Sequence, residues 1–167
     1  MSKHSFLNGL MSRMNNVNNN VYIGDTAQIS NILDNVLFLG SQASTQRDVL
    51  KKRNIQNIIS IGCNPLVNNV KIFKYEVDDN GDPNNLYIFF NHVIPVIHEI
   101  INDCISKNEP ILVHCLAGMS RSASVIITWL MFHKNMTYEE AYLYVKERRP
   151  VISPNITFID YMKTLKV

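Results

Sequence analysis

Short hydrophobic runs alternate with polar, turn-rich segments along most of the chain, and these runs predict the strands. Each run has the length of a strand. The isoleucine-rich run at 55–61 lacks clean alternation, which is typical of a strand covered on both faces. The predicted strands are residues 21–23, 36–40, 55–61, 71–77 and 111–114.

Apolar residues at helical spacing predict helices between and after these strands. The predicted helices are residues 43–52, 86–106, 122–133, 138–148 and a last one ending at Leu165. Pro95 should kink the longest of them, because proline cannot donate a backbone hydrogen bond. Thr137 and Glu140 have the spacing of a capping box, and Asn155 or Ser153 can cap the last helix. The alternation predicts an α/β fold, a central and mostly parallel twisted sheet with helices on both faces.

Residues 1–20 have a different character from the rest of the chain. Their apolar residues fall on one face at helical spacing and precede a stretch rich in asparagine. The apolar residues of that face are Phe6, Leu7, Leu10, Met11 and Met14. We interpret residues 1–20 as a separate segment, a short helix that packs on its own domain or an arm for docking or dimerisation. Residues 21–167 form the predicted domain, as a monomer or as a homodimer through residues 1–20.

Length and composition indicate one globular domain and exclude several classes of protein. The 167 residues are 46% hydrophobic and 18% charged, and no apolar run has the length of a transmembrane helix. The net charge of +2 is too small to indicate binding to nucleic acid or membranes. Ser2 replaces the glycine that N-myristoylation requires, and no secretory signal follows. We expect an intracellular protein, cytoplasmic or nuclear.

The cysteines and histidines do not have the spacing of a metal site or a disulfide scaffold. The three cysteines, Cys63, Cys104 and Cys115, are odd in number, and the five histidines are scattered. We therefore expect free thiols in a reducing compartment, no metal and no cofactor.

The residues after the last predicted strand form the candidate site. The run 111–114 ends in His114, and Cys115, a loop containing Gly118, Arg121 and a helix follow. A helix N-terminus and unpaired loop N–H groups attract anions, and an arginine fork matches two phosphate oxygens. We predict a phosphoryl site with Cys115, as thiolate, at its base and Arg121 as the clamp. The amides that would cradle the oxygens belong to Leu116, Ala117, Gly118, Met119, Ser120 and Arg121.

Two stretches of the chain carry a family resemblance. The string from His114 to Ser122, His-Cys-x-x-Gly-x-x-Arg-Ser, resembles the signature of cysteine-dependent protein tyrosine phosphatases in its dual-specificity form. Residues 148–155, with Phe158 following, resemble the segment that closes the dual-specificity catalytic domain. The resemblance covers about residues 20–167 and implies a small, single-domain phosphatase of the atypical type.

The resemblance implies a phosphocysteine intermediate and a carboxylic acid that protonates the leaving oxygen. In this family the acid follows the strand that corresponds to residues 71–77, where the chain offers Asp78, Asp79 and Asp82. Asp79 is the first choice, although its separation of 36 residues from Cys115 is slightly longer than usual for the family. Asp78 and then Asp82 are the alternatives. Any aspartate in such a turn can instead be a backbone cap.

Several neighbouring residues have expected supporting roles. Ser122 can hydrogen-bond the thiolate or cap the helix, and His114 is expected to order the loop rather than transfer a proton. Asn155 resembles the asparagine that braces the loop in this family. Arg148 and Arg149 are interpreted as a solvated helix end, which cations suit, rather than as contacts for a second phosphate.

A hypothesis concerns Cys63, at the end of the predicted strand 55–61. If this strand neighbours the one before Cys115, Cys63 could trap an oxidised Cys115 as a disulfide. The alternative is that Cys63 is a small core residue.

The resemblance implies a protein phosphatase acting on phosphotyrosine and phosphoserine or phosphothreonine, with phosphorylated proteins as partners. The alternatives are a phosphoinositide phosphatase or an RNA 5′-phosphatase of the same superfamily, or a phospho-binding pseudophosphatase. No lysine lies between Cys115 and Arg121, and Ser122-Ala123 follows in place of the Thr-Gly of RNA-directed relatives. A pseudophosphatase would normally lack the cysteine or the arginine. The substrate stays open.

Overall fold

The core of the protein is a five-stranded sheet, described by a computed structural model that covers residues 29–166. The strands are β1 Ile29–Leu33, β2 Leu37–Gly40, β3 Asn57–Ile61, β4 Lys71–Tyr75 and β5 Ile111–His114. They lie in the order β1-β2-β5-β3-β4; the β1–β2 pair is antiparallel, and the other pairs are parallel. The predicted α/β fold with a mostly parallel sheet is therefore confirmed.

Helices cover both faces of this sheet, as predicted, but unequally. Within residues 29–166 the α-helices are α1 Arg47–Lys52, α2 Pro83–Ile88, α3 Ile94–Ser106, α4 Arg121–Lys134, α5 Tyr138–Arg148 and α6 Ile156–Thr164. The larger apolar cluster joins one face of the sheet to α3, α4, α5 and α6, and the smaller one lies between the other face and α1. No helix in the described part of the chain combines the length and apolar character needed to cross a membrane.

Strand β5 lies in the middle of the sheet and has the bounds that its hydrophobic run predicts. It is paired with β2 on one side and β3 on the other, and all its residues are fully buried. Because these three strands are parallel, their C-terminal ends meet at one edge of the sheet. Cys115 follows β5 directly and so lies between the ends of β2 and β3. This edge is called the C-terminal edge below.

The edge strand β1 was not predicted from the hydrophobic pattern. Its residues include Ser30 and Asn31, which weaken the alternation, yet it pairs with β2 through a tight hairpin. Asp34 and Asn35 both have positive φ, 42° and 59°, which is the conformation that two-residue hairpin turns require. The adjacent Asp34 and Asn35, between two apolar runs, were the signal for this hairpin in the sequence.

The long helix predicted at 86–106 begins earlier and is interrupted. Asp82 caps α2 by accepting hydrogen bonds from the N–H groups of Asn84 and Asn85, both at 3.0 Å. A π-helical turn, Phe89–Val93, then separates α2 from α3. It lies directly before Pro95, which cannot donate to the carbonyl four residues earlier. The sequence predicted a kink at Pro95, and the structure has a π-helical turn close to it.

The predicted caps of the last two helices differ in outcome. Thr137 and Glu140 form the expected capping box at the start of α5, so that prediction is confirmed. Of the two candidates for α6, Asn155 is the cap, and its side chain accepts a hydrogen bond from the N–H of Thr157 at 3.0 Å.

The N-terminal predictions lie outside the described residues. These are the separate segment 1–20, its role in docking or dimerisation, and the strand at 21–23. They stay predictions, as does the domain boundary at residue 21.

Candidate active site

Cys115 lies at the C-terminal edge, where β5 ends and α4 begins a few residues later. The space between Cys115 and the amides of the loop that joins β5 to α4 is called the pocket below. Its side chain is only 2% exposed, and its Sγ lies 3.1 Å from the hydroxyl oxygen of Ser122 in the first turn of α4. A hydroxyl at this distance can donate a hydrogen bond to a thiolate. The side chain of Ser122 does not cap α4, and its described hydrogen bond is with Cys115.

The carbonyl groups of the loop from Leu116 to Met119 accept hydrogen bonds from other segments of the chain. The N–H of Gln42 donates to Leu116, the N–H of Ser153 donates to Met119, and Arg149 donates to both intervening carbonyls. Within residues 29–166, the backbone N–H groups of 116–121 have no protein acceptor. Unpaired amides in succession, followed by a helix N-terminus, form the kind of concavity that binds phosphate oxygens.

Arg149 is the residue that holds this loop, and its interpretation as a solvated helix end was wrong. Its side chain is 1% exposed, and its Nε donates to the carbonyl of Gly118 at 2.7 Å. Its Nη2 donates to Ala117 at 3.3 Å, and its Nη1 donates to the hydroxyl of Ser30 at 3.5 Å. Burial lowers the pKa of Arg149. A charge pattern in the sequence does not reveal that a loop will cover a cation at a helix end. The place of Arg149 in the block 148–155, which resembles a segment of the family, was the sequence signal for a different role.

Arg148 has a separate environment. Its guanidinium lies over the ring of Tyr144, 3.5 Å from the ring centroid, and its Nη1 donates to the carbonyl of the same residue. Neither contact involves the loop, so the two adjacent arginines have different roles.

Gly118 permits the close approach of the loop to its supports. Its φ is +66°, and a Cβ there would lie 2.4 Å from the carbonyl oxygen of Gly40 and 2.6 Å from Nη2 of Arg149. A side chain at this position would therefore push the loop away from β2 and from the buried guanidinium.

One guanidinium nitrogen of Arg121 is hydrogen-bonded to the backbone, and another is available to bind a ligand. Its Nη1 donates to the carbonyls of Gly62 at 3.2 Å and Val77 at 3.0 Å, at the ends of β3 and of the segment after β4. Its Nε is buried and has no hydrogen-bond partner in the described part of the chain. A buried donor without a partner is costly, and a phosphate oxygen would satisfy it.

Asp79 is the candidate acid that the structure brings to the loop. The Ser120 hydroxyl donates to Oδ1 of Asp79 at 3.1 Å and accepts from the N–H of Asn155 at 2.9 Å. The side-chain amide of Asn155 lies 3.4 Å from the carbonyl oxygen of Asp79. Asp82 is the cap of α2, and Asp78 has no described side-chain hydrogen bond to the loop. The role of the Ser120 side chain was not anticipated, since only its backbone amide was assigned.

His114 is a buried, neutral histidine beneath the loop. Its Nε2 lies 2.6 Å from the hydroxyl oxygen of Ser60, and its Nδ1 lies 3.4 Å from the carbonyl oxygen of Cys115. Burial lowers the pKa of His114 to about 4, so its ring carries no charge at neutral pH. These contacts favour the ordering role over proton transfer.

Cys63 lies beside the same histidine. Its Sγ is 3.7 Å from Nδ1 of His114, and it is partly exposed. Burial, and then the charge of Cys115, raise the pKa of the Cys63 thiol. The strand ends therefore meet as the disulfide hypothesis requires, and the hypothesis itself stays a prediction.

Comparisons with known proteins identify the family of the chain. The family model "Dual specificity phosphatase, catalytic domain" matches residues 37–166. The human serine/threonine/tyrosine-interacting protein is 36% identical over 137 residues, which are 76% of this chain and 60% of that protein. The probable rhodanese domain-containing dual specificity protein phosphatase of Dictyostelium discoideum is 30% identical over 145 residues, 80% of this chain and 28% of that protein.

A solved structure gives the same result for the fold. The crystal structure of the human tyrosine phosphatase-like serine/threonine/tyrosine-interacting protein matches with a TM-score of 0.71 at 30% identity. The match covers 82% of this chain and 94% of that one. The chain spans less than two thirds of the length of either relative described above.

The anchoring of Arg121 leads to a prediction for Gly62. This residue has a φ of +64°, and a Cβ there would lie 1.9 Å from Nη1 of Arg121 and 2.4 Å from the carbonyl oxygen of Val77. Gly62→Ala should displace the guanidinium and weaken the binding of inorganic phosphate about tenfold or more, measured by calorimetry.

Gly81→Ala is the matched control for this substitution. Gly81 has a similar φ of +72°, but a Cβ there would meet only the side chain of Thr157, at 3.1 Å. We expect its phosphate affinity to stay within about threefold of the original. Equal losses in the two variants would show that backbone strain, and not the position of Arg121, determines phosphate binding.

The position of Cys63 leads to a prediction about oxidation. Peroxide should oxidise Cys115 to a sulfenic acid, and attack by the Cys63 thiol should release water and form a disulfide. Mass mapping of the treated protein should then find a Cys63–Cys115 peptide. Cys104, which is buried on α3, serves as the internal control and should stay free. Absence of the cross-linked peptide would rule out the hypothesis.

Proposed function

The chain belongs to the dual specificity phosphatase family, and on that premise we propose that it hydrolyses phosphotyrosine and phosphoserine or phosphothreonine in proteins. The observation that carries this proposal is the convergence at one pocket of a buried thiol, unpaired loop amides and the unpartnered Nε of Arg121. The thiol can attack the phosphorus of a phosphate monoester, and the amides and the guanidinium can bind its oxygens. Its partners would be phosphorylated proteins.

The proposed first step transfers the phosphoryl group to Cys115. The thiolate attacks phosphorus while the loop amides and Arg121 bind the three non-bridging oxygens, whose charge they stabilise. The bond between phosphorus and the leaving oxygen breaks, and protonated Asp79 donates a proton to that oxygen. The hydrogen bond from Ser120 holds Asp79 at the loop, which supports its assignment over Asp78 and Asp82.

The proposed second step releases phosphate. The Asp79 carboxylate removes a proton from water, the water oxygen bonds to phosphorus, and the sulfur–phosphorus bond breaks. The hydroxyl of Ser122, 3.1 Å from Sγ, donates to the departing thiolate of Cys115. His114 and Asn155 order the loop and do not enter the chemistry.

The main alternative is a protein that binds phosphorylated partners without turnover. One relative is described as tyrosine phosphatase-like, and the same title calls it an interacting protein. In this chain Cys115, Arg121 and Asp79 are all present and lie at one pocket. We therefore favour turnover. Phosphoinositide and RNA 5′-phosphate remain the alternative substrates.

The nucleophile can be tested by Cys115→Ser. We expect hydrolysis of a generic aryl phosphate to fall about 10⁴-fold or more, because serine is a much weaker nucleophile at neutral pH, while phosphate binding is retained. Cys104→Ser, at a buried cysteine on α3, is the control and should keep full activity. Turnover that survives in Cys115→Ser would contradict the mechanism. A wild-type protein that binds phosphopeptides without turnover would support the binding alternative.

The acid can be tested by comparing leaving groups. Asp79→Asn should slow the hydrolysis of alkyl phosphates about 100-fold and that of an activated aryl phosphate much less, since only a poor leaving group needs a proton. Asp78→Asn is the matched control, one residue away and exposed. If Asp78→Asn shows the dependence on the leaving group and Asp79→Asn does not, the assignment of Asp79 is wrong.

A further inference from the structure

The phosphate loop presents two large apolar side chains to solvent. Leu116 is 58% exposed and Met119 is 36% exposed, although both belong to the loop whose backbone surrounds the pocket. Large apolar side chains that stay in water next to a pocket commonly mark a surface that a ligand covers. The loop thus has a buried backbone side, where the phosphate would lie, and an exposed apolar side.

Segments bonded to the loop add further apolar side chains around it. The N–H of Gln42 donates to the carbonyl of Leu116, and the nearby Thr45 hydroxyl accepts from the N–H of Leu66, which is 55% exposed. On the other side, the N–H of Ser153 donates to the carbonyl of Met119. The side chains that flank this second contact are Val151, 43% exposed, and Ile156, 65% exposed. We call the five residues Leu66, Leu116, Met119, Val151 and Ile156 the apolar rim.

The basic residues of these segments are already engaged. Lys146 donates to the carbonyl of Ile152 at 2.7 Å, Arg148 lies over the ring of Tyr144, and Arg149 is buried against the loop. Residues 41–46 and 62–70 contain neither lysine nor arginine. Lys146 and Arg148 remain partly exposed, but their contacts described here are with a backbone carbonyl and an aromatic ring. Arg47, which follows the segment 41–46, is exposed on α1.

Two acidic residues lie beside the loop. Asp79 is bonded to Ser120 of the loop, and Asp78 precedes it on an exposed segment. An acidic side chain or a second phosphate on the substrate would meet these carboxylates and lose water without gaining a partner. An apolar side chain at the same place would cover exposed apolar surface.

We propose that the apolar rim selects singly phosphorylated protein segments whose phosphoresidue has apolar neighbours, over acidic or doubly phosphorylated segments. This inference rests on the proposed function for the chemistry at Cys115, but it concerns the surface outside the pocket. The rim makes substrate choice depend on the burial of apolar surface, and it opposes the binding of polyanions such as inositol phosphates.

The inference can be tested with matched phosphotyrosine peptides. One peptide has leucine on each side of the phosphotyrosine, a second has glutamate there, and a third carries another phosphate two residues away. We expect kcat/KM to be about fivefold or more higher for the leucine peptide, the effect of removing roughly 40 Å² of apolar surface from water. The same order should appear in binding to the Cys115→Ser protein, measured by fluorescence anisotropy.

Substitutions at the rim provide the second arm of the test. Val151→Lys and Ile156→Lys should each reduce the ratio of kcat/KM for the leucine and glutamate peptides to near unity or invert it. Phe132→Lys is the matched control: Phe132 is 46% exposed, but on α4 it lies eleven residues after Arg121, roughly 16 Å along the helix. Its peptide ratio should be unchanged.

The outcomes separate this inference from the proposed function. Turnover of all peptides at equal kcat/KM, or faster turnover of the doubly phosphorylated one, would overturn the inference and leave the proposed function intact. Binding that favours the leucine peptide, without turnover by the wild-type protein, would support the inference and contradict the proposed function.

Discussion

The burial of the Arg149 guanidinium against two loop carbonyls is the interaction on which the proposed phosphate site depends. A buried cation is stable only when its N–H groups are satisfied, and here the carbonyls of Ala117 and Gly118 and the hydroxyl of Ser30 satisfy them. Those carbonyls therefore point to the guanidinium. The N–H groups of the loop remain available to bind an anion. A side chain at position 118 would separate the two partners. One arginine after α5 thus fixes the conformation of a loop whose bonded carbonyls lie 31 and 32 residues earlier.

A second constraint joins the loop to the proposed acid through one hydroxyl. Ser120 donates to Asp79 and accepts from the N–H of Asn155, so three segments that are far apart in sequence meet at its side chain. Asn155 is also the cap of α6. The position of the acid is therefore coupled to the start of a helix and to the loop itself. This contact would hold the side chain of the proposed acid at the loop before any substrate arrives.

The pocket and the surface around it contribute different properties. The family match, residues 37–166, includes the loop 116–121. The proposed pocket consists of backbone amides, a thiol and an arginine, groups that suit phosphate monoesters in general. Selection among substrates is proposed to come from side chains that face outward, such as Leu116 and Ile156, and from the carboxylate of Asp79 beside the loop. The chemistry and the choice of substrate can therefore change independently.

The sequence by itself determined the features that depend on neighbours along the chain. The buried run before Cys115, the spacing to Arg121 and the capping box at Thr137 are local patterns, and their physical causes act within a few residues. Tertiary structure decided which groups meet: that the cation at 149 is buried under the loop, and that Asp79, among three aspartates in one turn, reaches Ser120. It also decided that residues 29–33, whose alternation is weakened by Ser30 and Asn31, become a strand through their hairpin with β2. These outcomes depend on the packing of distant segments, where burial and hydrogen bonding override the local preference of each residue.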